Sequence, residues 1–479
     1  MSLHEACGLF GICSTEDKIA ESLHLGLFTL QHRGQEAAGF ALARGGEFFL
    51  YKDLGSVEEV YRQGNVRLRR GQLGIAHTRY STAGESAAEN AQPIGLHRQG
   101  RWLALTHNGT VANAARLRRE LSEQGVVFQG SSDTEILLQL YARAPEGTSP
   151  EERLARLAGQ VRGAYSLLLL DGDRLIAARD PFGFRPLVIG RRGADWLIAS
   201  ETAALEMVGA RPEREVRPGE AVIFRPGREP EARRFAPERA IRCCVFELIY
   251  FGRPDSVIFD HDVYQFRKRT GCLLARKEGS AIDLVVPVPD SGVPAALGYA
   301  QALGCPLELG LIRSHYVGRS FIEPQQASRL QVVKMKLLPL RSVLSGRRVA
   351  LVDDSIVRGT TAKAVVELVR EFGAAEVHLR IASPPIIAPC FFGIDMPTKA
   401  ELLASGRTLA EIKEFLQADS INYLTLAELA EATGVGAGLV PALGGFCDAC
   451  FSGCYPAGSL AEDDLFRGAT CRTPTCKTR

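Results

Sequence analysis

The segment VALVDDSIVRGTTA, residues 349–362, constrains the fold of this chain more than any other stretch. An apolar run ends in two consecutive carboxylates, and a loop of small residues then leads into a helical pattern. Such strand–loop–helix units build parallel sheets, and the backbone N–H groups at the start of the helix form an anion site. The loop can donate to phosphate oxygens without crowding them, whereas the carboxylates suit ribose hydroxyls and Mg²⁺. The residues predicted to bind in this way are Asp353, Asp354, Ser355, Gly359, Thr360 and Thr361.

The second half of the chain alternates strand and helix patterns. DLVVPVP is followed by the turn DSG and the helical VPAALGYAQALG, and EVHLRIAS is a further strand pattern. This alternation predicts an α/β domain with a parallel sheet over residues 236–385. Short helical patterns follow in residues 386–455. Residues 456–479 show little periodicity and are expected to be a disordered tail.

The first half reads as short strands joined by tight turns, with helical stretches between them. Three pairs of apolar runs flank Gly45-Gly46, Asp171-Gly172-Asp173 and Arg192-Gly193, which is typical of β-hairpins. This pattern predicts an α+β domain over residues 7–235. The polar, proline-containing stretch Phe224–Arg242 is interpreted as a linker or an irregular loop near the domain boundary.

Four short motifs of the first half point to one nucleophilic site. Cys7 can attack a carboxamide carbon, and Arg79 of HTRYST can bind a carboxylate with two parallel hydrogen bonds. Asp133 can pair with an α-ammonium group, while Asn108 and Gly109 of THNGT can donate to a tetrahedral oxyanion. Glutamine carries all three of these groups. Taken singly, Cys7 could instead be a packing residue, and Arg79 or Asn108 could be structural.

Composition limits the other classes of function. A formal net charge of +2 over 479 residues gives no electrostatic reason to expect binding to nucleic acid or membranes. No apolar run approaches the roughly 20 residues that a membrane span needs, and the start of the chain lacks the features of a secretory signal. A cytoplasmic enzyme is therefore expected, in which the twelve cysteines serve as nucleophile, metal ligands or buried residues rather than as a disulfide framework.

These motifs together resemble the amidophosphoribosyltransferase family. The first half is similar to N-terminal-nucleophile (class II) glutaminase domains, with QHRGQE as a further matching segment, and the second half to type I phosphoribosyltransferases. The resemblance implies that residues 1–6 are a propeptide whose removal frees the α-amine of Cys7 as general base. It also implies that Arg33 supports the glutamine site and that Ser291 of the PDSG turn reaches a metal ion. Asp353 and Asp354 would hold the ribose hydroxyls of phosphoribosyl pyrophosphate, and the loop through Thr361 its 5′-phosphate.

One branch of the family carries a [4Fe–4S] cluster. The positions that match its ligands are Cys244, Cys390, Cys447 and Cys450, and the last two form a Cys-x2-Cys pair. The same pair could bind zinc or nothing, and the neighbouring Cys243 and Cys454 leave the choice of ligands open.

The resemblance implies an overall reaction and its partners. Ammonia from glutamine would replace pyrophosphate on phosphoribosyl pyrophosphate, with Mg²⁺ as cofactor, purine nucleotides as feedback inhibitors and a homotetramer as the assembly. The basic segment Leu311–Leu337 would be a lid, with Arg319, Arg329, Lys334 and Lys336 facing pyrophosphate, unless it is a solvated loop. Two alternatives are another glutamine amidotransferase and a non-catalytic regulator that binds phosphoribosyl groups.

Overall fold

A computed structural model describes residues 7–80, 87–237, 239–314, 334–396, 398–434, 445–456 and 460. The predicted propeptide, most of the lid with Arg319 and Arg329, and nearly all of the predicted tail lie outside these residues. Within them, no helix is long and apolar enough to cross a membrane.

The first half is built on two antiparallel sheets. The strands of the first sheet are β1 (Gly8–Cys13), β2 (Ala37–Arg44), β3 (Glu47–Leu54), β4 (Leu73–Arg79), β9 (Val188–Arg192), β10 (Asp195–Ala199) and β11 (Arg211–Glu215). Those of the second are β5 (Ile94–Arg98), β6 (Arg101–Val111), β7 (Gly163–Asp171), β8 (Arg174–Arg179), β12 (Glu220–Phe224) and β13 (Glu231–Arg234). The first sheet has the order β11-β9-β10-β1-β4-β2-β3 and the second the order β13-β12-β8-β7-β6-β5.

The two sheets pack face to face between two layers of helices. Leu9 and Ile75 of the first sheet share a core with Leu168 and Leu170 of the second. Alternating apolar residues bury one face of each strand there, and the helices cover the opposite faces. These helices are Ala20–Thr29, Val57–Gln63, Ala114–Glu123, Asp133–Ala142, Pro150–Gln160 and Thr202–Met207.

The second half contains the predicted parallel sheet. Its order is β17-β20-β21-β22, formed by Leu284–Pro287, Arg348–Asp353, Glu376–Ile381 and Ser420–Tyr423. Helices Val263–Ala275 and Val293–Leu303 pack on one face, and Thr360–Glu371 and Leu409–Leu416 on the other. The carboxyl ends of β17 and β20 therefore bring the PDSG turn and the two aspartates to one edge of the sheet.

Shorter elements complete the described residues. Two-stranded pairs are formed by β14 (Cys243–Cys244) with β23 (Phe446–Cys447), β15 (Val257–Ile258) with β16 (His261–Asp262), and β18 (Leu311–Arg313) with β19 (Leu337–Pro339). A π-helical turn spans Glu247–Phe251. The remaining α-helices are Arg341–Leu344, Leu426–Ala432 and Ala449–Ser452, and 3₁₀ turns lie at Gln31–Arg33, Val66–Leu68, Ala88–Asn90 and Lys399–Glu401.

The three predicted hairpins are confirmed as β2–β3, β7–β8 and β9–β10. The interpretation of Phe224–Arg242 as linker or irregular loop is wrong in part, because Glu231–Arg234 is a strand that pairs with β12. Its four residues are mostly exposed, so they carry no apolar alternation that would reveal an edge strand.

Candidate active sites

Cys7 lies directly before β1, in the interior of the first half. The register of β1 with β4 sets Gly8 opposite Thr78, and the Cys7 Sγ lies 4.0 Å from the carbonyl oxygen of Tyr80. Burial raises the pKa of this thiol, while the charge of Arg79 acts in the opposite direction. A thiol with a raised pKa needs a base close by before it can act as a nucleophile.

Arg79 and Asp133 provide opposite charges near this thiol. Arg79 ends β4, and the backbone of Gly34 packs so closely on it that an added Cβ would lie 2.5 Å from the Arg79 carbonyl carbon. Asp133 begins helix Asp133–Ala142 and accepts a hydrogen bond from the Val111 N–H at 2.9 Å. Burial alone would raise the pKa of Asp133, but His107 at 3.7 Å, the Val111 N–H and Arg79 together lower it. Asp133 is thus held as a carboxylate that can face an ammonium group.

Asn108 and Gly109 have the features expected of an oxyanion site. The Asn108 side chain on β6 is fully buried, and neither its nitrogen nor its oxygen has a hydrogen-bond partner among the described residues. An amide left without partners in this way lowers the free energy of unfolding by about 1–3 kcal/mol unless a ligand forms hydrogen bonds with it. Gly109 has a φ of +146°, and a Cβ there would lie 2.1 Å from the Ala164 oxygen, so only glycine fits.

Arg33 supports this region from within the protein. Its guanidinium is fully buried between Glu201, which accepts from Nε, and Glu247, whose Oε2 lies 2.5 Å from Nη2. Its donors are held by these two carboxylates. This arrangement suits the supporting role expected for Arg33 better than direct contact with glutamine.

The two consecutive aspartates of the second half stand at the carboxyl end of β20. The Ser355 hydroxyl donates to Asp354 at 2.5 Å, and the Asp354 N–H donates to Asp353 at 2.9 Å. Burial and the adjacent carboxylate of Asp354 raise the pKa of Asp353 well above its usual range. The PDSG turn lies against them, since a Cβ on Gly292 would be 3.3 Å from the Asp353 Cα. A divalent cation bound beside these carboxylates and Ser291 would stabilise their charged forms and so lower the pKa of Asp353.

The loop after the aspartates leads into helix Thr360–Glu371 as the sequence predicts. Gly359 is the N-cap in the left-handed region at φ +77°, and an added Cβ would lie 2.6 Å from a Leu403 methyl group. Thr360 is half-buried and Thr361 exposed in the first turn. The N-terminus of this helix is therefore open to an anion, while its loop is fixed from behind by Leu403.

Four cysteines of the second half come together where β14 pairs with β23. Cys244 lies opposite Cys447 in that pairing. Burial and the nearby thiols of Cys244, Cys390 and Cys447 raise the pKa of Cys450 well above its usual range. Cys243 points elsewhere, with its sulfur 3.6 Å from Arg179 Nη2.

This geometry favours Cys244 over Cys243 as a member of the group, because strand alternation directs the two side chains to opposite sides. Within the part of the chain that the structure describes, no group of three or more His, Cys, Asp or Glu side chains stands ready to hold a metal ion. The iron–sulfur cluster thus stays a prediction.

Comparison with known proteins decides the family. A glutamine amidotransferase domain model matches residues 77–207, and a phosphoribosyl transferase domain model matches residues 274–382. The amidophosphoribosyltransferase of Methanocaldococcus jannaschii is 44% identical over 468 residues, which cover 94% of this chain and 97% of the relative. That of Bacillus subtilis is 44% identical over 455 residues, covering 95% and 94%. The chain belongs to the amidophosphoribosyltransferase family.

Solved structures agree with this assignment. The glutamine phosphoribosylpyrophosphate amidotransferase from B. subtilis, complexed with ADP and GMP, superposes with a TM-score of 0.88 at 42% identity and covers 94% of this chain and 97% of its own. A structure described as the allosteric regulatory enzyme of purine biosynthesis gives 0.88 at 43%, covering 94% and 96%. The predicted fold of a glutaminase domain followed by a phosphoribosyltransferase domain is confirmed. Membership of the family disfavours both alternatives, another glutamine amidotransferase and a non-catalytic regulator.

Three residues at the junction of the two halves were not predicted from the sequence. Arg185 and Glu247 form an ion pair at 2.8 Å in which both side chains are fully buried. A Cβ on Gly393 would lie 2.8 Å from the Gly109 Cα, so the second half touches the predicted oxyanion site. The segments FELIYFGRPDS and PCFFGIDMPT, which contain Glu247 and Gly393, resemble the family, but nothing local in them indicates contact with residues more than 60 positions away.

Proposed function

We propose that this enzyme makes 5-phosphoribosylamine at two sites in series, as the first committed step of purine synthesis. The observation that carries the proposal is the fully buried Asn108 amide, which has no partner among the described residues. In the same half of the chain, the charges of Arg79 and Asp133 act on the Cys7 thiol. The second half supplies the carboxylates and helix N-terminus that suit phosphoribosyl pyrophosphate, and its Gly393 adjoins the first site.

At the first site, Cys7 Sγ attacks the carboxamide carbon of glutamine. The α-amine of Cys7, freed by removal of residues 1–6, takes the thiol proton and passes it to the leaving nitrogen. Arg79 binds the substrate carboxylate and Asp133 its ammonium group, and Asn108 and the Gly109 N–H donate to the oxyanion. The C–N bond breaks to give ammonia and a glutamyl thioester, which water hydrolyses to glutamate.

At the second site, ammonia attacks C1 of the phosphoribosyl group as the bond from C1 to the pyrophosphate oxygen breaks. Asp353 and Asp354 orient the ribose hydroxyls, while Ser355, Gly359, Thr360 and Thr361 hold the 5′-phosphate. Mg²⁺ held near Ser291 and the aspartates would neutralise charge on the leaving pyrophosphate. The segment Leu311–Leu337 would close over it and exclude water, with Lys336 among its cations. Lys334 does not fit that role here, because it pairs with Glu371 at 2.7 Å, at the far end of helix Thr360–Glu371.

We also propose that Cys244, Cys390, Cys447 and Cys450 hold a [4Fe–4S] cluster that fastens the C-terminal segment to the core. The support for this ligand choice is that Cys447 and Cys450 are buried and that the nearby Cys244 and Cys390 raise the pKa of both thiols. Binding of purine nucleotides is supported by the B. subtilis relative, whose structure contains ADP and GMP. A homotetramer follows from the family resemblance.

Replacement of Cys7 by alanine tests whether glutamine is used at the first site and ammonia at the second. We expect Cys7→Ala to abolish glutamine-dependent formation of phosphoribosylamine and to leave ammonia-dependent formation at the wild-type rate. Mass spectrometry of the wild-type N-terminus should show a chain that starts at Cys7. A fully active enzyme that retains Met1 would contradict the proposal.

A further inference from the structure

Arg185 has one buried donor that no described residue satisfies. Its side chain is fully buried, its Nε donates to the Phe392 carbonyl at 2.9 Å, and its Nη1 donates to Glu247 at 2.8 Å. Its Nη2 is also buried but has no hydrogen-bond partner among the described residues. Because a buried charged N–H without an acceptor is destabilising, we expect Nη2 to meet an acceptor that arrives with a ligand.

This nitrogen lies where the two halves of the chain touch. A Cβ built on Gly393 would be 3.0 Å from Arg185 Nη2 and 2.8 Å from the Gly109 Cα, so both groups border the same point. The Phe251 ring, whose centroid is 5.9 Å from the guanidinium carbon of Arg185, adds an apolar surface. Because Gly109 belongs to the predicted oxyanion site and Gly393 to the second half, the unsatisfied donor stands at the exit from the glutaminase site.

The proposed reaction leaves one group of glutamine without an assigned partner. Arg79 and Asp133 are assigned to the α-carboxylate and the α-ammonium group. Asn108 and Gly109 are assigned to the oxygen of the carboxamide. The remaining group is the amide nitrogen, which leaves as ammonia and must pass into the second half. Ammonia has a lone pair and can therefore accept a hydrogen bond from a donor on that route.

A guanidinium is chemically suited to hold ammonia in its neutral form. Arginine does not give up its proton in proteins, so its N–H can donate to the lone pair without converting ammonia into ammonium. The fixed positive charge also disfavours ammonium beside it, since a like charge penalises the charged form. The second site needs the neutral form, because the lone pair that attacks C1 is occupied by a proton in ammonium.

We propose that Nη2 of Arg185 binds the ammonia that leaves glutamine and holds it as neutral NH₃ on its way to the phosphoribosyl group. This inference rests on the proposed function and adds a residue to it. The carbon–nitrogen bond breaks as the α-amine of Cys7 delivers its proton to the leaving nitrogen, and Arg185 donates a hydrogen bond without losing a proton. Glu247 and Phe392 of the second half fix the guanidinium, so the position of this donor depends on how the halves dock.

The test measures how much ammonia escapes before it reaches the second site. Each transfer releases one pyrophosphate and each glutamine consumed gives one glutamate, so the two products count transferred and total ammonia. We expect the ratio of escaped to transferred ammonia to rise about tenfold in Arg185→Met, which corresponds to about 1.4 kcal/mol. The change in kcat for glutamine hydrolysis should be much smaller.

Two further variants control for the loss of a buried ion pair. Arg179→Met removes another fully buried arginine of the first half, which pairs with Glu215 and donates to the Gly183 carbonyl, and it should keep the wild-type ratio. Glu247→Gln breaks the same ion pair as Arg185→Met but keeps the guanidinium beside Gly393. It should therefore lose less ammonia than Arg185→Met, and equal losses in these two variants would overturn the proposal.

Arg185→Lys serves if the methionine variant does not fold, because it keeps the charge but not the fork of donors. Its ammonia escape should be several-fold greater than that of the matching Arg179→Lys. A wild-type ratio in the Arg185 variants would overturn the proposal, as would a lowered kcat for glutamine hydrolysis with an unchanged ratio, since the acceptor would then be the oxyanion. Wild-type protein that releases no pyrophosphate from phosphoribosyl pyrophosphate and glutamine would instead overturn the proposed function.

Discussion

Asn108 is the residue whose surroundings indicate most clearly that a ligand binds beside it. Its amide is fully buried and unpartnered among the described residues, so a substitution removes no internal hydrogen bond. We expect Asn108→Ala to lower kcat for glutamine hydrolysis by about 10²–10³-fold with little change in KM, as for other oxyanion donors. Stability should hardly fall.

The control for this prediction is the ammonia-dependent reaction, which bypasses the glutaminase site and should keep its rate in Asn108→Ala. A rise in KM for glutamine with an unchanged kcat would show that Asn108 binds the ground state instead.

His77 contributes a dependence of stability on pH. Burial lowers its pKa from 6.5 to about 3, and its Nε2 lies 3.2 Å from the His107 carbonyl oxygen, which a neutral ring can satisfy by donating. Below pH 6.5 the unfolded chain takes up a proton that the folded protein excludes until about pH 3, so stability falls as the pH falls through this window. At pH 5 the loss attributable to His77 is about 2 kcal/mol.

Replacement of His77 by glutamine should reduce this acid sensitivity. The difference between the thermal midpoints at pH 7 and pH 5 should be smaller in His77→Gln than in wild type, because glutamine takes up no proton. His97→Gln, which replaces an exposed histidine on β5, is the matched control and should behave like wild type. An unchanged difference in His77→Gln would assign the acid sensitivity to other groups.

At the scale of elements, the start of helix Thr360–Glu371 depends on one glycine. Alanine at Gly359 would be strained at φ +77° by about 1–2 kcal/mol and would contact Leu403 at 2.6 Å. The loop should shift to relieve both, which moves the N–H groups proposed to bind the 5′-phosphate. We expect Gly359→Ala to raise KM for phosphoribosyl pyrophosphate about tenfold, since that factor corresponds to about 1.4 kcal/mol.

Gly373, just beyond the other end of this helix, provides the control. It also has a positive φ, of +98°, and an added Cβ would lie 3.1 Å from the Ser345 hydroxyl oxygen. Gly373→Ala should cost similar stability without changing KM for phosphoribosyl pyrophosphate. Steady-state kinetics of both variants, with glutamine hydrolysis measured separately, distinguishes a local change at the phosphate loop from general loosening.

The elements that could be predicted from sequence are those whose signal is local. Hairpins such as β7–β8 show two apolar runs around a tight turn, and β20 shows an apolar run that ends in Asp353. Edge strands such as β13 and β22 were missed. β13 is mostly exposed and charged, and β22 has only four residues, so neither offers a pattern long enough to detect.

The same limit applies to the sites. Cys7, Arg79, Asn108 and Asp133 could be named because each residue type suits one part of glutamine chemistry, although their proximity could not be derived. The position of Arg185, by contrast, is defined by its contacts with Glu247 and Phe392, which lie 62 and 207 positions away along the chain. Contacts of that separation depend on how the two halves dock, which no local pattern encodes.

At the scale of the whole molecule, the halves are joined by a buried chain of charges. Glu247 accepts from Arg33 at 2.5 Å and from Arg185 at 2.8 Å, and Arg33 also pairs with Glu201. All four side chains are fully buried. Three of them belong to the first half and Glu247 to the second, so one carboxylate compensates two cations across the junction.

Neutralising Glu247 should therefore lower the stability of the junction more than the loss of any surface ion pair would. Glu247→Gln keeps the shape but leaves two buried guanidinium groups undercompensated, which costs about 3–5 kcal/mol and should lower the thermal midpoint by roughly 5–10 °C. Glu431→Gln, which breaks the exposed pair with Arg276, is the control and should change stability by less than about 1 kcal/mol.

The transfer of ammonia between the two sites provides a second measure of how tightly the halves are joined. Because Gly393 touches Gly109 where the halves meet, a loosened junction should let ammonia escape between the sites. The ratio of phosphoribosylamine formed to glutamine hydrolysed should fall below the wild-type value in Glu247→Gln, while the ammonia-dependent rate is kept. A variant that loses stability but keeps the wild-type ratio would show that the charge chain holds the halves together without sealing the path between them.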